Sequence, residues 1–181
     1  MKKWECRDLG DVTEFLHMKV HRDGSKINLD QCAYLETVLE PCRMQNCKSA
    51  ATPLLAGYMS ESVSPDTAIN PELQRHYQMV IGSLLYLMIG TRPDIAFAVT
   101  KLAQFAARPS EEHFNKALYI CRYLRGTSKY CLTDYSTSGQ GLIACTDSDW
   151  ASDSNNRRSQ TGYFLKLAGG AISWMSGHIR Q

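Results

Sequence analysis

The sequence predicts an α+β fold, built from a β-hairpin and a helix at the amino end, a helical unit in the middle and a β-sheet at the carboxyl end. Apolar residues recur at helical spacing between residues 71 and 130, whereas they alternate with polar residues, as in strands, from residue 131 onward. Shifts in composition divide the chain into residues 1–48 for the hairpin and first helix, 49–70 for a linker, 71–130 for the helical unit and 131–181 for the sheet.

The hairpin is predicted by two short segments of strand-like composition that are joined by a turn. Residues 14–21 and 26–29 supply the strands, and Arg22-Asp23-Gly24-Ser25 supplies the turn chemistry. Asp30 follows and can cap a helix, which Pro41 limits near its end. The apolar residues of that helix fall on one face: Tyr34, Leu35, Val38, Leu39 and Cys42.

The densest apolar stretch, residues 77–99, predicts the central core helix and the corner after it. Asn70 is suited to cap this helix, Pro71 to its first turn and Gly90 to its end. Because polar residues crowd its start, we predict a buried helix rather than a membrane span of ~18 apolar residues or more. Its predicted apolar stripe comprises Leu73, Tyr77, Val80, Ile81, Leu84, Leu85, Leu87 and Met88.

Two more helices are predicted after the corner. Thr91 as N-cap and Pro93 in the first turn begin the second helix, which Arg108-Pro109 ends. Ser110 caps the third helix and Gly126 closes it. The predicted buried residues are Ile95, Val99, Leu102 and Ala106 in the second helix, and Phe114, Ala117, Leu118, Cys121 and Leu124 in the third.

Four strands are predicted in the last part of the chain, at residues 131–135, 141–146, 162–167 and 171–175. Turns rich in Ser, Gly and Asn separate them. We expect these strands to form one sheet.

Composition and charge indicate an intracellular globular protein. The formal net charge of +2 argues against a strong attraction of the whole molecule to nucleic acid, so only local basic patches are considered. The seven cysteines are scattered and form no CxxC pair, which favours reduced core thiols over a zinc site. Since the amino end has no apolar run typical of a signal peptide, we expect a cytoplasmic or nuclear protein.

Several motifs resemble the region of copia-type LTR retrotransposon polyproteins that joins reverse transcriptase to RNase H. They are GSLLYL followed by TRPDIAFAV, a DLG motif at residues 8–10, an FLG-like motif at residues 15–17, and the strings from LIACTDSDW to ISW. The segment from Pro109 to Thr127 resembles the family pattern PxxxHxxAxxRxLRYLxGT, with Pro109, His113, Arg122, Tyr123, Leu124, Gly126 and Thr127 in register and Ala117 one residue from the alanine of the pattern. The resemblance covers nearly the whole chain. It implies the end of a palm, a helical thumb and connection unit, and an incomplete RNase H-like sheet.

The resemblance implies a primer-grip-like role for Phe15, Leu16 and His17, because the FLG hairpin of the family holds the end of the growing strand. Family members usually have glycine where this chain has His17, so a side chain occupies a position that favours close backbone approach. A simple edge hairpin is the alternative.

Asp147 matches the first RNase H carboxylate of the family and is therefore the candidate Mg²⁺ ligand. A two-metal site, with ions about 3.5–4 Å apart, needs several carboxylates from separate elements. The other RNase H carboxylates of the family are expected beyond Gln181, and the metal-binding aspartates of its polymerase site are expected upstream of the DLG motif. Asp149 and Asp153 share the strand end and turn of Asp147, so they cannot surround an ion from separate elements. We therefore expect no complete catalytic site, no tightly bound cofactor, and Mg²⁺ only in a complete family member.

Six basic residues are candidate contacts for a phosphate backbone: Lys101, Arg108, Arg122, Arg125, Arg157 and Arg158. The corresponding family regions face an RNA/DNA hybrid. In the alternative, Arg122 and Arg125 complement the C-terminus of the third helix and pair with nearby carboxylates.

Three functions therefore stay open. The first is a fragment of a reverse transcriptase/RNase H polyprotein, in the pathway of RNA-directed DNA synthesis and DNA integration, without catalytic activity of its own. The second is a retained module that binds nucleic acid or the full-length retroelement polyprotein, and the third is a small metal-dependent phosphodiesterase built around Asp147. We expect weak binding of an RNA/DNA hybrid or other nucleic acid and no membrane partner.

Overall fold

The computed structural model describes residues 7–55, 64, 68–135, 139, 141–149 and 159–178, without the side chains of residues 149 and 178. This part of the chain is an α+β structure with four α-helices and two antiparallel sheets. In chain order the elements are β1 (Glu14–Phe15), β2 (Met18–Asp23), β3 (Lys26–Asp30), α1 (Cys32–Leu39), α2 (Pro71–Gly90), a 3-10 turn (Pro93–Ile95), α3 (Ala96–Ala103), α4 (Glu111–Gly126), β4 (Leu132–Tyr135), β5 (Ile143–Asp149), β6 (Gln160–Leu167) and β7 (Gly170–His178). Half of the predicted linker, residues 56–63 and 65–67, lies outside the described residues.

The first sheet has the strand order β1-β2-β3-β4. The predicted hairpin is confirmed, since β2 and β3 pair up to Asp23 and Lys26, and Gly24 has the positive φ of 55° that a tight turn requires. The expected sheet of four carboxyl-end strands is wrong in its first strand, because β4 pairs with β3. The Cys32 thiol donates a hydrogen bond to Ser128 O, so the chain that follows α4 runs beside the end of β3. There β4 provides hydrogen-bond partners for the backbone at the edge of β3.

The second sheet has the order β5-β6-β7 and confirms the other three predicted strands. Its register places Asp147 opposite Gly162, which in turn lies opposite Ser176. A bulge interrupts β6 between Leu165 and Lys166.

The core forms around α2, as predicted. The Asn70 side chain accepts hydrogen bonds from the backbone N–H groups of Glu72 and Leu73, and Pro71 occupies the first turn. In the described part of the chain, no helix has the length and apolar character to cross a lipid bilayer. The buried residues of α2 are Tyr77, Val80, Ile81, Leu84 and Leu87, with Leu73, Leu85 and Met88 half-buried.

The corner between α2 and α3 differs from its prediction. Thr91 is not an N-cap: it follows α2, is buried, and its hydroxyl donates a hydrogen bond to Gln31 Oε1 at 3.0 Å. The residue before the 3-10 turn is Arg92, whose side chain makes no cap. The Thr91 hydroxyl therefore binds a side chain that lies 60 residues away in sequence and does not cap the following helix.

Helix α4 begins and ends where the sequence predicts. The Ser110 hydroxyl accepts from His113 N at 3.2 Å, and His113 Nδ1 accepts from Ser110 N at 3.0 Å, which completes a capping box. The His113 ring is buried and stacks on Phe105 with centroids 3.9 Å apart. The apolar stripe predicted for this helix did not include three residues that are also buried: His113, Ile120 and Tyr123.

The second sheet contacts the helical core through β7. Trp174 Nε1 donates to Met88 O at 2.8 Å, and the Thr100 hydroxyl donates to Ser176 O at 3.1 Å. A further bond joins the two sheets, because Tyr135 N donates to Ala168 O at 3.3 Å. The helices and both sheets are thus in direct contact.

Candidate functional site

The tip of the β1–β2 hairpin holds the three predicted grip residues. Phe15 pairs with Met18, and the two residues between them, Leu16 and His17, have positive φ angles of 50° and 56°. This backbone is that of a tight two-residue turn, in which glycine and asparagine carry the least strain. The geometry gives a physical reason for the glycine that the resemblance leads us to expect at residue 17.

Aromatic side chains on two helices hold this tip in place. The Tyr86 hydroxyl on α2 donates a hydrogen bond to Leu16 O at 2.6 Å. The His17 ring lies 6.0 Å from Tyr34 and 6.4 Å from Tyr86, and the two tyrosine rings are 4.8 Å apart. The side chain that replaces glycine is therefore accommodated by packing. Sequence reasoning missed Tyr86, because no local pattern connects residue 86 with residue 16.

The outer surface of the tip is apolar rather than basic. Phe15 and Leu16 are each 61% exposed, and Leu9 is also exposed. The neighbouring carboxylates at Asp8, Asp11 and Glu14 are exposed as well. Such a surface suits contact with bases, sugars or apolar groups and disfavours direct contact with phosphate.

Two of the candidate phosphate contacts, Arg122 and Arg125, lie together near the end of α4. Arg122 Nε donates to Lys48 O at 2.8 Å, and Arg125 Nε donates to Gln45 O. Their hydrogen-bond acceptors in the described residues are thus backbone carbonyls, not the carboxylates of the alternative interpretation. The Arg122 guanidinium also lies over the ring of Tyr119, at 5.3 Å from its centroid.

The surroundings of Arg125 combine both signs of charge. Its side chain lines a cleft of about 540 Å³, and Glu36 of α1 and Glu40, which directly follows α1, line the same cleft. These carboxylates lower the local preference for a phosphate.

The other basic candidates are spread over the molecule. Lys101 lies in the last turn of α3, and Arg108 lies on the exposed segment that leads into α4. Arg108 precedes α4 and Arg122 lies near its other end, so about 18 Å of helix separates them at 1.5 Å per residue. Arg157 and Arg158 lie outside the described residues.

Asp147 is exposed on β5 and lines a shallow groove of about 320 Å³. In the residues that the structure describes, no group of three or more His, Cys, Asp or Glu side chains could hold a metal ion. The side chain of Asp149 and all of Asp153 lie outside that part. A single carboxylate does not fit Mg²⁺, which needs several positioned oxygens before it gives up water.

Asp134 does not complete a site with Asp147. Its side chain packs against Gly170, where a Cβ atom would overlap it. Asp147 pairs with Gly162 of β6, which in turn pairs with Ser176 of β7. Ser176 is six residues beyond Gly170, and six residues correspond to about 20 Å of strand. The two carboxylates therefore cannot share an ion.

Comparison with known proteins identifies the family. Over 181 residues the chain is 41% identical to the Retrovirus-related Pol polyprotein from transposon TNT 1-94 of Nicotiana tabacum, an alignment that covers 97% of this chain and 14% of the polyprotein. It is 35% identical over 171 residues to an uncharacterized mitochondrial protein of Arabidopsis thaliana, which covers 94% of this chain and 69% of that protein. The chain belongs to the family of transposon Pol polyproteins. The prediction of a retrotransposon polyprotein is thereby confirmed.

The similarity of this Pol-family chain extends to fungi. A putative transposon Ty5-1 protein of Saccharomyces cerevisiae is 29% identical over 182 residues, which are 99% of this chain and 58% of that protein. No protein-family model and no solved structure matches. The chain spans only 14% of the length of the tobacco polyprotein. The activities of the whole polyprotein are therefore considered for this chain only as proposals.

The TRPD motif of this Pol-family chain forms a buried charge network that sequence reasoning missed. Arg92 is 3% exposed and binds Asp94 through two nitrogens, at 3.0 Å for Nε and 2.8 Å for Nη2. It also donates to the backbone and hydroxyl oxygens of Thr127, just after α4. The Tyr123 hydroxyl completes the network by donating to Asp94 Oδ2 at 2.8 Å. The motif thus joins the α2–α3 corner to the end of α4.

The network also changes proton affinities. Burial opposes ionisation of Asp94, but the hydrogen bonds and charge of Arg92 lower the pKa of its carboxyl below the ordinary value. Burial and the hydrogen bond to Asp94 raise the pKa of Tyr123 to about 12. Both shifts are explained by a structural ion pair, which makes these groups poor candidates for acid–base catalysis.

A second polar cluster, His21, Asp30 and Cys32, resembles a nucleophile set in composition only. His21 Nε2 and Asp30 Oδ2 are 2.8 Å apart, and Asp30 Oδ1 accepts from Cys32 N at 2.9 Å. Burial and the neighbouring Asp30 raise the pKa of the Cys32 thiol to about 11, so the thiolate form is disfavoured. The N-cap position of α1 is Gln31, not the predicted Asp30, which lies one residue earlier and binds the backbone N–H of Cys32. The cluster therefore holds the start of α1 and does not activate a nucleophile.

Proposed function

We propose that this chain is the part of a copia-type retrotransposon polyprotein that joins reverse transcriptase to RNase H, and that it contacts nucleic acid during RNA-directed DNA synthesis. In this proposal residues 1–48 are the end of the palm and the first thumb helix, 71–130 the helical connection, and 131–181 the start of an RNase H-like sheet. The family membership and the motif order support this assignment.

The observation that carries the proposal is the anchored hairpin tip. Tyr86 fixes Leu16 O, and the aromatic packing of His17 restrains the turn, so Phe15 and Leu16 present an apolar surface at a defined place beside α1 and α2. A rigid apolar tip can press on the sugars and bases of a strand end without paying the entropy of ordering a loop.

The basic residues serve as weaker, sequence-independent contacts in this proposal. Arg122 and Arg125 use Nε for the bonds to the 45–48 segment, which leaves their Nη groups as donors toward phosphate. Lys101 in the last turn of α3 and Arg108 in the segment before α4 add further contacts in this proposal. Arg157 and Arg158 remain candidates from the sequence alone.

Binding of a fluorescent RNA/DNA hybrid, measured by anisotropy over a salt series, tests the proposed roles of both the hairpin tip and the basic residues. We expect weak binding that falls steeply with salt, and a slope of log affinity against log salt that is reduced by ~1 in Arg125→Gln. Arg125→Lys keeps the charge and should restore the slope. Arg22→Gln, on the hairpin strand away from the candidate set, is the matched control and should leave the slope unchanged.

The hairpin tip makes a different prediction in the same assay. Phe15→Ala should weaken binding by roughly fivefold or more while leaving the salt slope as it is, because base stacking is not electrostatic. Ile172→Ala removes a similarly exposed apolar side chain elsewhere and should bind like the unchanged protein. Equal affinities for Phe15→Ala and the unchanged chain would contradict a grip role.

We further propose that the chain does not by itself cleave RNA in a hybrid, that it binds no cofactor tightly, and that it works in the cytoplasm or nucleus. In the described residues, no group of three or more His, Cys, Asp or Glu side chains could hold a metal ion, which supports the first part. Incubation of the hybrid with the chain and Mg²⁺ should leave the RNA intact. Cleavage that disappears in Asp147→Asn would overturn this proposal and favour a phosphodiesterase.

The exposed edge of β5 favours a second candidate function, the binding of another polyprotein chain. Among the described strands only β6 pairs with β5, and residues 143–148 are exposed along their length. Sedimentation of the chain with and without a full-length polyprotein would detect such an association.

A further inference from the structure

The exposed edge of β5 borders the shallow groove that Asp147 lines. Residues 143–148 are exposed, and among the described strands only β6 pairs with β5, so the outer edge of β5 is open to a further strand. The groove, of about 320 Å³, is also lined by β6, β7 and the start of α3, where Phe97 forms part of its wall. A strand added to β5 would therefore present its side chains beside an existing cavity.

One face of the second sheet forms the floor of this groove. Directly opposed residues of antiparallel strands point to the same face, so the register places an aromatic row beside a row that carries a carboxylate. A Cβ atom at Gly162 would have only Met175 O within 4 Å beyond its chain neighbours, so the floor next to Asp147 is open. The aromatic row is Cys145, Phe164 and Trp174, and the other row is Asp147, Gly162 and Ser176.

The charge of the groove is negative. In the described part of the chain Asp147 takes part in no ion pair, and β5 contains two aspartates and no basic residue. Flat apolar groups line the same groove, since Phe97 is 50% exposed, and Phe164 and Trp174 are half-buried. A carboxylate near aromatic rings suits a guanidinium, which pairs with the one and stacks on the other.

We propose that the β5 edge binds an extended peptide strand that carries an arginine, and that the guanidinium of this arginine enters the groove and pairs with Asp147. The inference rests on the second candidate function, the binding of another polyprotein chain, and specifies the kind of segment that is bound. The added strand would lie ~4.8 Å from β5, so an arginine in the position beside Asp147 reaches its carboxylate. Backbone hydrogen bonds to β5 supply affinity, and the groove selects the side chain.

The same features favour a peptide over nucleic acid at this edge. An extended peptide has the regular spacing of N–H and C=O groups that pairs with an open strand, whereas a nucleic-acid strand does not. A phosphate backbone in this place would meet the aspartates of β5 and be repelled.

Fluorescence anisotropy with the full chain and a short labelled peptide tests the proposal. The peptide alternates valine and threonine and has one central arginine, and the matched peptide has citrulline there, which keeps the shape but not the charge. We expect saturable binding of the arginine peptide, and binding weaker by roughly fivefold or more for the citrulline peptide, for Asp147→Asn and for Phe97→Ala. Asp23→Asn removes an exposed carboxylate from the first sheet and should leave the affinity unchanged.

Two further peptides test the strand pairing in the unsubstituted chain. Each carries N-methyl groups on alternate backbone amides, one on the odd and the other on the even positions, so the side chains stay and one edge of each peptide can no longer pair. We expect at least one of them to lose its binding. Unchanged binding of both would overturn strand addition, and equal binding of the arginine and citrulline peptides would overturn the role of Asp147.

Two other outcomes separate this inference from the functions proposed above. A full-length polyprotein that sediments with the chain while no arginine peptide binds would keep the second candidate function and overturn this inference alone. Weaker binding of the RNA/DNA hybrid by Phe97→Ala, with peptide binding unchanged, would assign the groove to nucleic acid and overturn it as well.

Discussion

At the residue scale, Tyr123 couples the charge network around Arg92 to the protonation of one phenol. Its hydroxyl donates to Asp94, which Arg92 holds ionised from the other side. The network satisfies a buried guanidinium, and its integrity depends on each donor keeping its proton.

The raised pKa of Tyr123 predicts a loss of stability at alkaline pH. Since the pKa rises from 10.0 to about 12 on folding, the folded state holds the proton more tightly than the unfolded state. The stabilisation is complete below pH 10 and is lost as the pH rises toward 12, by up to roughly 2–3 kcal/mol. Urea unfolding at a series of pH values should show this loss in the unchanged chain and a smaller one in Tyr123→Phe. Parallel curves for the two proteins would contradict the assignment.

Single residues were predictable where their partners are local. Asn70 and Ser110 cap helices through bonds two or three residues away, and the sequence indicates both. Thr91 and Arg92 carry equally clear local signals, yet Thr91 binds Gln31, and Arg92 binds Thr127 in addition to the local Asp94. Gln31 and Thr127 come from distant parts of the chain. No spacing rule brings these residues together before the helices pack.

At the element scale, α2 organises the helices as the sequence predicts. Its stripe is buried, and Tyr77 fixes the neighbouring helix by donating to Leu102 O at 2.6 Å. Helical periodicity was a sufficient guide because one continuous face of α2 is covered by other helices. Strand partners were less predictable: the composition of β4 indicates a strand, but its pairing with β3 depends on where α4 delivers the chain.

The buried stripe predicts a large effect at its centre. Leu84→Ala should lower the free energy of unfolding by roughly 2–5 kcal/mol, because the side chain is fully buried and leaves a cavity. Ile89→Ala, on the exposed side of the same helix, is the control and should change it by less than about 0.5 kcal/mol. Chemical denaturation measures both. Similar values for the two variants would remove Leu84 from the core.

At the scale of the whole molecule, the hairpin tip and the second sheet both contact α2. Tyr86 on α2 holds the hairpin tip, and Met88 O, two residues later, accepts the hydrogen bond from Trp174 of β7. The sequence could indicate each of the three parts, but it contains no signal for this arrangement, since contacts between separate elements have no periodicity. The residues proposed to contact nucleic acid likewise come from separate elements, so no periodicity in the sequence relates them.

The bond from Trp174 to Met88 O predicts how the second sheet is held. Trp174→Phe keeps an aromatic ring but removes the donor and leaves a carbonyl unpaired, so we expect a loss of roughly 1–3 kcal/mol. Hydrogen exchange should show the loss, with faster exchange in β5 to β7 than in α4, because the sheet contacts the helices through few bonds. Ile172→Ala, an exposed position on the same strand, should leave the exchange of both regions unchanged. Uniform acceleration across the sheet and α4 in Trp174→Phe would mean instead that the two parts unfold as one cooperative unit.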